Sequence, residues 1–109
     1  MIIASRVLKL ISSSDAHDIR IDIFQPEETG GSWVCHYVVN WPDQPWESFG
    51  GGKDAVQALI STLQKIGFEL YASEANKSAQ LAWSDWKGFG FPVPQNARDL
   101  LKGDDARFF

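Results

Sequence analysis

Apolar and polar residues alternate through the first half of the chain, which is the pattern of β-strands that bury one face. In the clearest run, the isoleucines of residues 19–23 alternate with charged residues. A later run, 33–41, is apolar on both faces, which predicts a central strand. The four predicted strands lie within residues 3–11, 19–23, 33–41 and 46–49. Pro26 ends the second of them, and a loop is predicted at 27–31.

The second half of the chain opens with a predicted amphipathic helix. Its apolar residues recur at helical spacing and should face the sheet, namely Val56, Leu59, Leu63, Ile66 and Leu70. Asp54 falls in the first turn, where a carboxylate suits the helix dipole. Gly67 costs about 1 kcal/mol relative to alanine unless the helix packs closely there.

The pattern is less regular after this helix. Residues 73–82 are predicted to be loop or extended chain, and a short helix follows in which Asn96 caps the start and Gly103 marks the end. Leu100 and Leu101 should be buried in it, and residues 104–109 should form a flexible tail. The predicted fold is therefore α+β, with an antiparallel four-stranded meander, one long amphipathic helix packed on one face and a short C-terminal helix. Residues 1–103 are expected to form a single domain.

Composition excludes several classes of protein. With 44% hydrophobic and 13% aromatic residues in 109, the chain can build a core and is not a disordered segment. Neither a membrane-spanning run nor a secretion signal is recognisable at the sequence level. Cys35 is the single cysteine, which suits a reducing compartment, and we expect a cytoplasmic protein.

Charge argues against a nucleic-acid partner. The net charge is −4, and residues 1–50 hold three basic and seven acidic side chains. Nucleic-acid affinity depends on clustered lysine and arginine, and anionic membrane surfaces need basic runs too. We therefore expect neither nucleic acid nor membrane as a partner.

Three motifs together resemble a known family. They are the Trp33-x-Cys35 strand, the Gly51-Gly-Lys-Asp-Ala-Val-Gln-Ala-Leu59 helix start, and Trp83 followed by Gly90-Phe-Pro-Val-Pro94. The combination is similar to a family of small bacterial domains of unknown function, over roughly residues 3–94. The resemblance implies a compact bacterial cytosolic domain and transfers no catalytic residues.

The glycine run before the helix is a weak candidate for anion binding. Gly51, Gly52 and Lys53 precede a helix N-terminus, which could present N–H groups to a phosphate. The phosphate-binding loop pattern is incomplete here, because Glu47 stands where its first glycine would be and Asp54 follows the lysine. A tight strand-to-helix crossing that needs positive φ is the favoured interpretation.

No catalytic, cofactor or metal-binding residues emerge from the sequence. Cys35 and His36 are neighbours on a strand, so they point to opposite faces and the histidine cannot activate the thiol. One cysteine and two separated histidines make no zinc spacing. The acidic pairs at 27–28 and 104–105 are expected to be solvated.

Aromatic residues point to interaction rather than chemistry. Five tryptophans and seven phenylalanines are many for one small core. The candidate partner surface is Trp41, Trp46, Trp86 and Phe89, because aromatics are enriched in interfaces. The open alternative is that the segment 88–92 covers the face or edge of the sheet and that the exposed tryptophans have no partner. We expect a non-enzymatic protein-interaction module, with an immunity-type role as a variant, and a homodimer formed through the last two strands or residues 83–94. The alternative is a small-molecule-binding domain or enzyme with a pocket between helix and sheet.

Overall fold

The computed structural model describes residues 1–13, 15–78 and 80–109. The strands are β1 (Ile2–Ile11), β2 (Ala16–Phe24), β3 (Glu27–Thr29), β4 (Ser32–Val39), β5 (Trp46–Gly52) and β6 (Leu81–Ala82). The α-helices are α1 (Ala55–Ala72), α2 (Glu74–Lys77) and α3 (Gly103–Phe108), and a 3₁₀ helix covers Gln95–Leu100. None of the helices in these ranges is long and apolar enough to cross a membrane.

The chain has two compact units. The first comprises residues 1–7 and 19–63, and the second comprises residues 8–18 and 64–109. Strands β1 and β2 and helix α1 contribute residues to both. Every strand pairing registered between described residues is antiparallel, and the fold is α+β with a long helix packed on the sheet, as predicted.

Strand β4 is central in the first unit. One of its edges pairs with β5 from Trp33 to Val39, and the other edge pairs with β2 and β3. Cys35, Tyr37 and Val39 are buried in the core together with the β2 isoleucines. The predicted central position of this strand is confirmed.

The sheet has six strands, so the prediction of four is wrong. One additional strand arises because the chain resumes pairing after Pro26: Ile23 faces Tyr37, whereas Glu27 faces Val34. Three residues therefore separate these positions on one strand and two on the other, which is a β-bulge. Proline suits this place because it has no N–H to donate to the ladder.

The predicted loop at 27–31 is in fact β3 and a tight hairpin turn. Gly30 and Gly31 have φ values of 60° and 83° and connect Thr29 directly to its partner Ser32. A two-residue hairpin turn with both φ values positive suits the twist of the flanking strands. The other additional strand, β6, lies in the second unit, where Leu81 pairs with Leu10.

In the first unit, helix α1 lies directly on the backbone of β5. A Cβ atom at Gly50 would be 2.5 Å from the backbone nitrogen of Thr62, and one at Gly52 would be 2.5 Å from that of Ala58. The Thr62 hydroxyl also donates to the Cys35 carbonyl at 2.8 Å. Neither glycine has positive φ, so the prediction of positive φ at this tight crossing is wrong: glycine is required here by close approach.

This close contact also changes which side of the helix is buried. Ala58 and Thr62 are 0% exposed, whereas Val56, predicted to face the sheet, is 65% exposed. Leu59 and Leu63 are only partly buried, and Ile66 and Leu70 are fully buried as predicted. Small side chains occupy the contact because larger ones would hold the helix away from the strand.

The helix start combines two reciprocal hydrogen bonds. The Asp54 carboxylate accepts from the Gln57 N–H at 2.8 Å, and the Gln57 side-chain oxygen accepts from the Lys53 N–H at 2.6 Å. This arrangement is closely similar to a capping box, in which side chains satisfy the unpaired N–H groups of the first turn. Asp54 is therefore the N-cap.

Residues 73–82 of the second unit are more ordered than predicted. Ser73 caps α2 by accepting from the Asn76 N–H, and β6 follows; Ala79 lies outside the described residues, as does Ser14. Gly67 of α1 packs closely against the chain at Pro92, which is the condition under which a glycine in this helix was expected. A Cβ atom at Gly67 would be 1.8 Å from the Pro92 carbonyl oxygen.

The C-terminal region differs from its prediction in three respects. The predicted short helix is a 3₁₀ helix with Pro94, not Asn96, at its N-cap. Leu101 is buried, but Leu100 is 41% exposed. Gly103 begins α3 instead of ending a helix, and the residues expected to form a flexible tail are helical. The sequence pattern missed this because the contacts that hold α3 are to Tyr71 and to residues 86–90, which are distant in the chain.

We predict that Gly50→Ala destabilises the chain by about 1–3 kcal/mol, the usual cost of overpacking, because its Cβ would collide with the α1 backbone. Gly51→Ala is the matched control, since a Cβ there meets only the Trp33 carbonyl oxygen at 3.7 Å. Urea unfolding of both variants measures the difference. Equal stabilities would show that α1 does not press on β5 at this point.

Candidate functional site

The sheet of the first unit has one face that α1 does not cover, here called the outer face. Since Cys35 and Tyr37 point into the core, His36 between them lies on the outer face. The β4–β5 register places Phe49 opposite His36, with ring centroids 5.7 Å apart. Phe49 is 50% exposed, so an aromatic pair stands on this face in contact with solvent.

Carboxylates flank this aromatic pair. Glu47 pairs with Val38 and Glu27 pairs with Val34, so both glutamates belong to the outer face. Within the described ranges, neither forms an ion pair. Both charges are therefore available to an external cation.

Asp22 differs from these glutamates because its charge is satisfied within the chain. Its carboxylate accepts from the Ser5 hydroxyl at 2.7 Å and from Arg20 Nε at 2.6 Å. Partial burial works to raise the Asp22 pKa, but these hydrogen bonds and the guanidinium charge outweigh it, and the pKa lies below its usual value. Asp22 is thus a structural carboxylate.

Two concavities open on this part of the first unit. A cleft of about 320 Å³ is lined by Phe24, His36, Val38 and the two glutamates, among others. A shallower hollow of about 800 Å³ lies over Gly51, with Val34, Phe49 and Lys53 in its wall. Gly51 has no side chain to fill the hollow, and Gly52 and the α1 residue Gln57 also line it.

Strand β5 is an edge strand. It pairs with β4 on one side, and no strand formed by described residues pairs with its other side. Its seven residues include no lysine or proline, the residues that usually protect an edge from pairing with another chain. Trp46, at its start, is 52% exposed.

The four aromatic residues predicted as a partner surface are divided between the two units. Trp41 is half-buried and Trp46 exposed in the first unit, whereas Trp86 and Phe89 belong to the second unit. Phe89 is 2% exposed and has no surface to offer a partner. The sequence reasoning missed Phe49, because only the register with β4 shows that Phe49 shares a face with His36.

Trp86 belongs to a hydrogen-bond network around a buried carboxylate in the second unit. Asp105 is 0% exposed and accepts from Trp86 Nε1 at 2.7 Å and from the Tyr71 hydroxyl at 2.5 Å. The backbone N–H groups of Phe89 and Gly90 donate to it at 2.7 and 2.9 Å. Four donors offset the cost of burying this charge. Burial, together with Asp105, raises the Tyr71 pKa, so this phenol remains protonated.

The weak anion-site candidate is occupied by the chain's own groups. The Lys53 N–H is bonded to Gln57, and the Gln57 N–H to Asp54. Gly51 and Gly52 lie within β5 rather than in a phosphate-binding loop. The Asp54 carboxylate at the helix start would also repel an anion.

Cys35 is a buried thiol, and the metal-ligating residue types are spread over the described part of the chain. The Cys35 thiol is fully buried, donates to the Phe24 carbonyl at 3.3 Å, and has a pKa raised by burial. Across residues 1–13, 15–78 and 80–109, no three His, Cys, Asp or Glu side chains are placed to hold a metal ion.

We predict that Asp105→Asn lowers the free energy of unfolding by about 3 kcal/mol. The side-chain NH₂ group of the asparagine cannot accept the hydrogen bonds that one carboxylate oxygen accepts now, so buried donors would be left unpaired. Asp99→Asn removes an exposed carboxylate and serves as the matched control. Urea unfolding followed by tryptophan fluorescence measures both. Indistinguishable midpoints would remove the network from the interactions that stabilise this unit.

Cys35 should react slowly with a thiol reagent in the native protein and rapidly after denaturation, because the thiolate is disfavoured and inaccessible. A stopped-flow measurement of labelling with and without denaturant tests this. Fast labelling of the folded chain would instead indicate an activated nucleophile.

Comparison with known proteins agrees with the resemblance noted in the sequence. No curated protein and no solved structure matches the chain significantly. One family model, described as a domain of unknown function, matches residues 4–93, which span β1 to the segment that follows β6. The chain therefore belongs to the family of domains of unknown function DUF6968.

Proposed function

We propose that this domain is a non-enzymatic protein-interaction module that contacts its partner through β5 and the adjoining outer face. The observation that carries the proposal is the exposure of β5, which is an edge strand. Its Phe49 side chain, on the outer face, is 50% exposed, and its Trp46 side chain, paired with Val39 on the opposite face, is 52% exposed. A strand edge provides backbone hydrogen bonds to a partner, and neighbouring side chains provide specificity. Aromatic anchors supply much of the affinity in such contacts.

The contact between α1 and β5 favours this proposal over a ligand pocket between helix and sheet. At Gly50 and Gly52 the two backbones lie so close that not even a methyl group fits between them. Of the concavities described above, the cleft beside His36 lies on the outer face, and the hollow lies over Gly51 at the end of β5, where Gln57 at the start of α1 also lines it. A pocket that holds a small molecule is normally enclosed and lined by converging polar groups.

The charge of the outer face indicates the kind of partner, and the free thiol indicates the compartment. Glu27 and Glu47 lie beside the aromatic pair without internal ion pairs, so a partner surface that carries lysine or arginine would match the outer face. Nucleic acid, itself an anion, is not the partner that we propose. An unpaired cysteine suits a reducing compartment, and with the family resemblance it supports the cytoplasm of a bacterium.

We predict that the double variant Trp46→Ser, Phe49→Ser loses at least about tenfold of its crosslinking to protein partners in cells that produce it at native level, because two exposed anchors are removed. Quantitative crosslinking with mass spectrometry measures this for every partner, including a second copy of the chain.

Phe68→Ser is the control, since it removes a phenylalanine that is 43% exposed in the second unit. Its crosslinks should equal those of the unaltered chain. Identical crosslinking by the β5 double variant would contradict the proposed contact surface.

A further inference from the structure

We infer that the partner of β5 is a second copy of this chain, joined antiparallel edge to edge about a two-fold axis at Gly50. The inference rests on the proposed function, because it uses β5 as the contact, and it goes further by naming the occupant and the register. A two-fold dimer joins the same patch of both copies, so the patch must be complementary to itself. The residues of β5 and the one that follows meet this requirement in one register.

The possible registers are few. Residues paired across an antiparallel ladder point to the same face, and neighbours along a strand point to opposite faces. The two-fold axis must therefore pass through a residue, where that residue meets its own copy. Three centres keep most of β5 paired: Ser48, Phe49 and Gly50.

Charge selects the centre at Gly50. This register pairs Glu47 with Lys53 of the second copy, and symmetry repeats the pair, so two ion pairs form. Both side chains belong to exposed residues, and within the part of the chain that is described neither forms an ion pair of its own. A centre at Ser48 would pair Glu47 with Phe49, and a centre at Phe49 would pair it with Gly51. Neither of these places a cation opposite the carboxylate.

Shape selects the same centre. With the axis at Gly50, Phe49 lies opposite Gly51 of the second copy, where the hollow of about 800 Å³ opens. A Cβ built on Gly51 meets only the Trp33 carbonyl oxygen, at 3.7 Å, so the space above this glycine is open. An aromatic ring that covers a glycine on the neighbouring strand is a known means of stabilising such a pair. Each copy thus provides one ring and one hollow.

The packing of α1 leaves this edge available. The helix presses on β5 from the core side at Gly50 and Gly52, whereas Glu47, Phe49 and Gly51 alternate with these glycines on the outer side. Lys53, just after the strand, lines the hollow over Gly51. The predicted contacts of the dimer are therefore made on the face opposite the helix, and the strand backbones meet at the edge.

Charge reversal tests the register in the purified full chain. Sedimentation velocity across the micromolar range should show a monomer–dimer equilibrium. Glu47→Lys and Lys53→Glu should each weaken dimerisation at least about tenfold, because each creates two like-charge pairs across the strands. The double swap Glu47→Lys, Lys53→Glu should restore the dimer, since opposite charges face each other again.

Two further variants separate shape from charge. Gly51→Val fills the hollow and should weaken the dimer at least about tenfold, while circular dichroism confirms that its fold is kept. Glu27→Lys is the matched control: it makes the same charge change on the outer face, but on β3, and should leave dimerisation unchanged.

The outcomes distinguish this inference from the proposed function. A chain that stays monomeric at all concentrations, or a dimer that the charge swap fails to restore, overturns the inference. If the chain is monomeric but its cellular crosslinks to other proteins still depend on Trp46 and Phe49, the proposed function stands with a different partner. If neither measurement responds to the β5 variants, both are overturned.

Discussion

Close approach of one stretch of backbone to another is the constraint on which this structure depends. At Gly50 and Gly52 in the first unit, and at Gly67 in the second, backbone atoms of another element lie within 2.5 Å of the place where a Cβ atom would stand. At Gly88 and Gly103 the atoms nearest to that place belong to side chains, those of Asp105 and Lys87. Such contacts need glycine whatever the backbone conformation, because the space itself is occupied. They replace side-chain packing by direct contact between elements, and they explain why the buried side of α1 carries alanine and threonine near β5.

The second unit shows how a buried charge can specify a conformation. Asp105 lies in α3, a helix of six residues that would be only marginally stable by itself. Its carboxylate accepts hydrogen bonds from two side chains and two backbone N–H groups. The contact at Gly88 belongs to the same arrangement, since a Cβ there would overlap the carboxylate. Asp105 and Gly88 therefore depend on each other, and the carboxylate holds this part of the second unit together.

The proposed function depends on the edge and the outer face of β5, which the core does not cover. Helix α1 covers β5 on the core side. The strand still has an edge that pairs with no other strand among the described residues, and its outer face carries an aromatic ring, a carboxylate and an unfilled position at Gly51. Gly50 and Gly52 allow α1 to lie close to β5 on the core side. They alternate with Glu47, Phe49 and Gly51, which form the outer surface of the same strand. One seven-residue strand thus serves both purposes because a β-strand has two independent faces.

The sequence by itself determined the α+β class, the central strand, the long helix and the family, because alternation and helical spacing are local patterns. It placed Asp54 in the first turn, whereas the structure makes this residue the N-cap, just before the helix begins at Ala55. It did not determine the bulge at Pro26, the pairing of β6 or the helical C-terminus, because each depends on partners distant in the chain. The candidate surface was predictable only in part: Trp46 was identified, whereas Phe49 and Glu47 required the register of β5 against β4. Phe89 is of a residue type that is common in interfaces, but it is buried beside Tyr71 in the second unit and is only 2% exposed. Whether an aromatic ring is core or surface is decided by which elements pack over it, and only the tertiary structure contains that information.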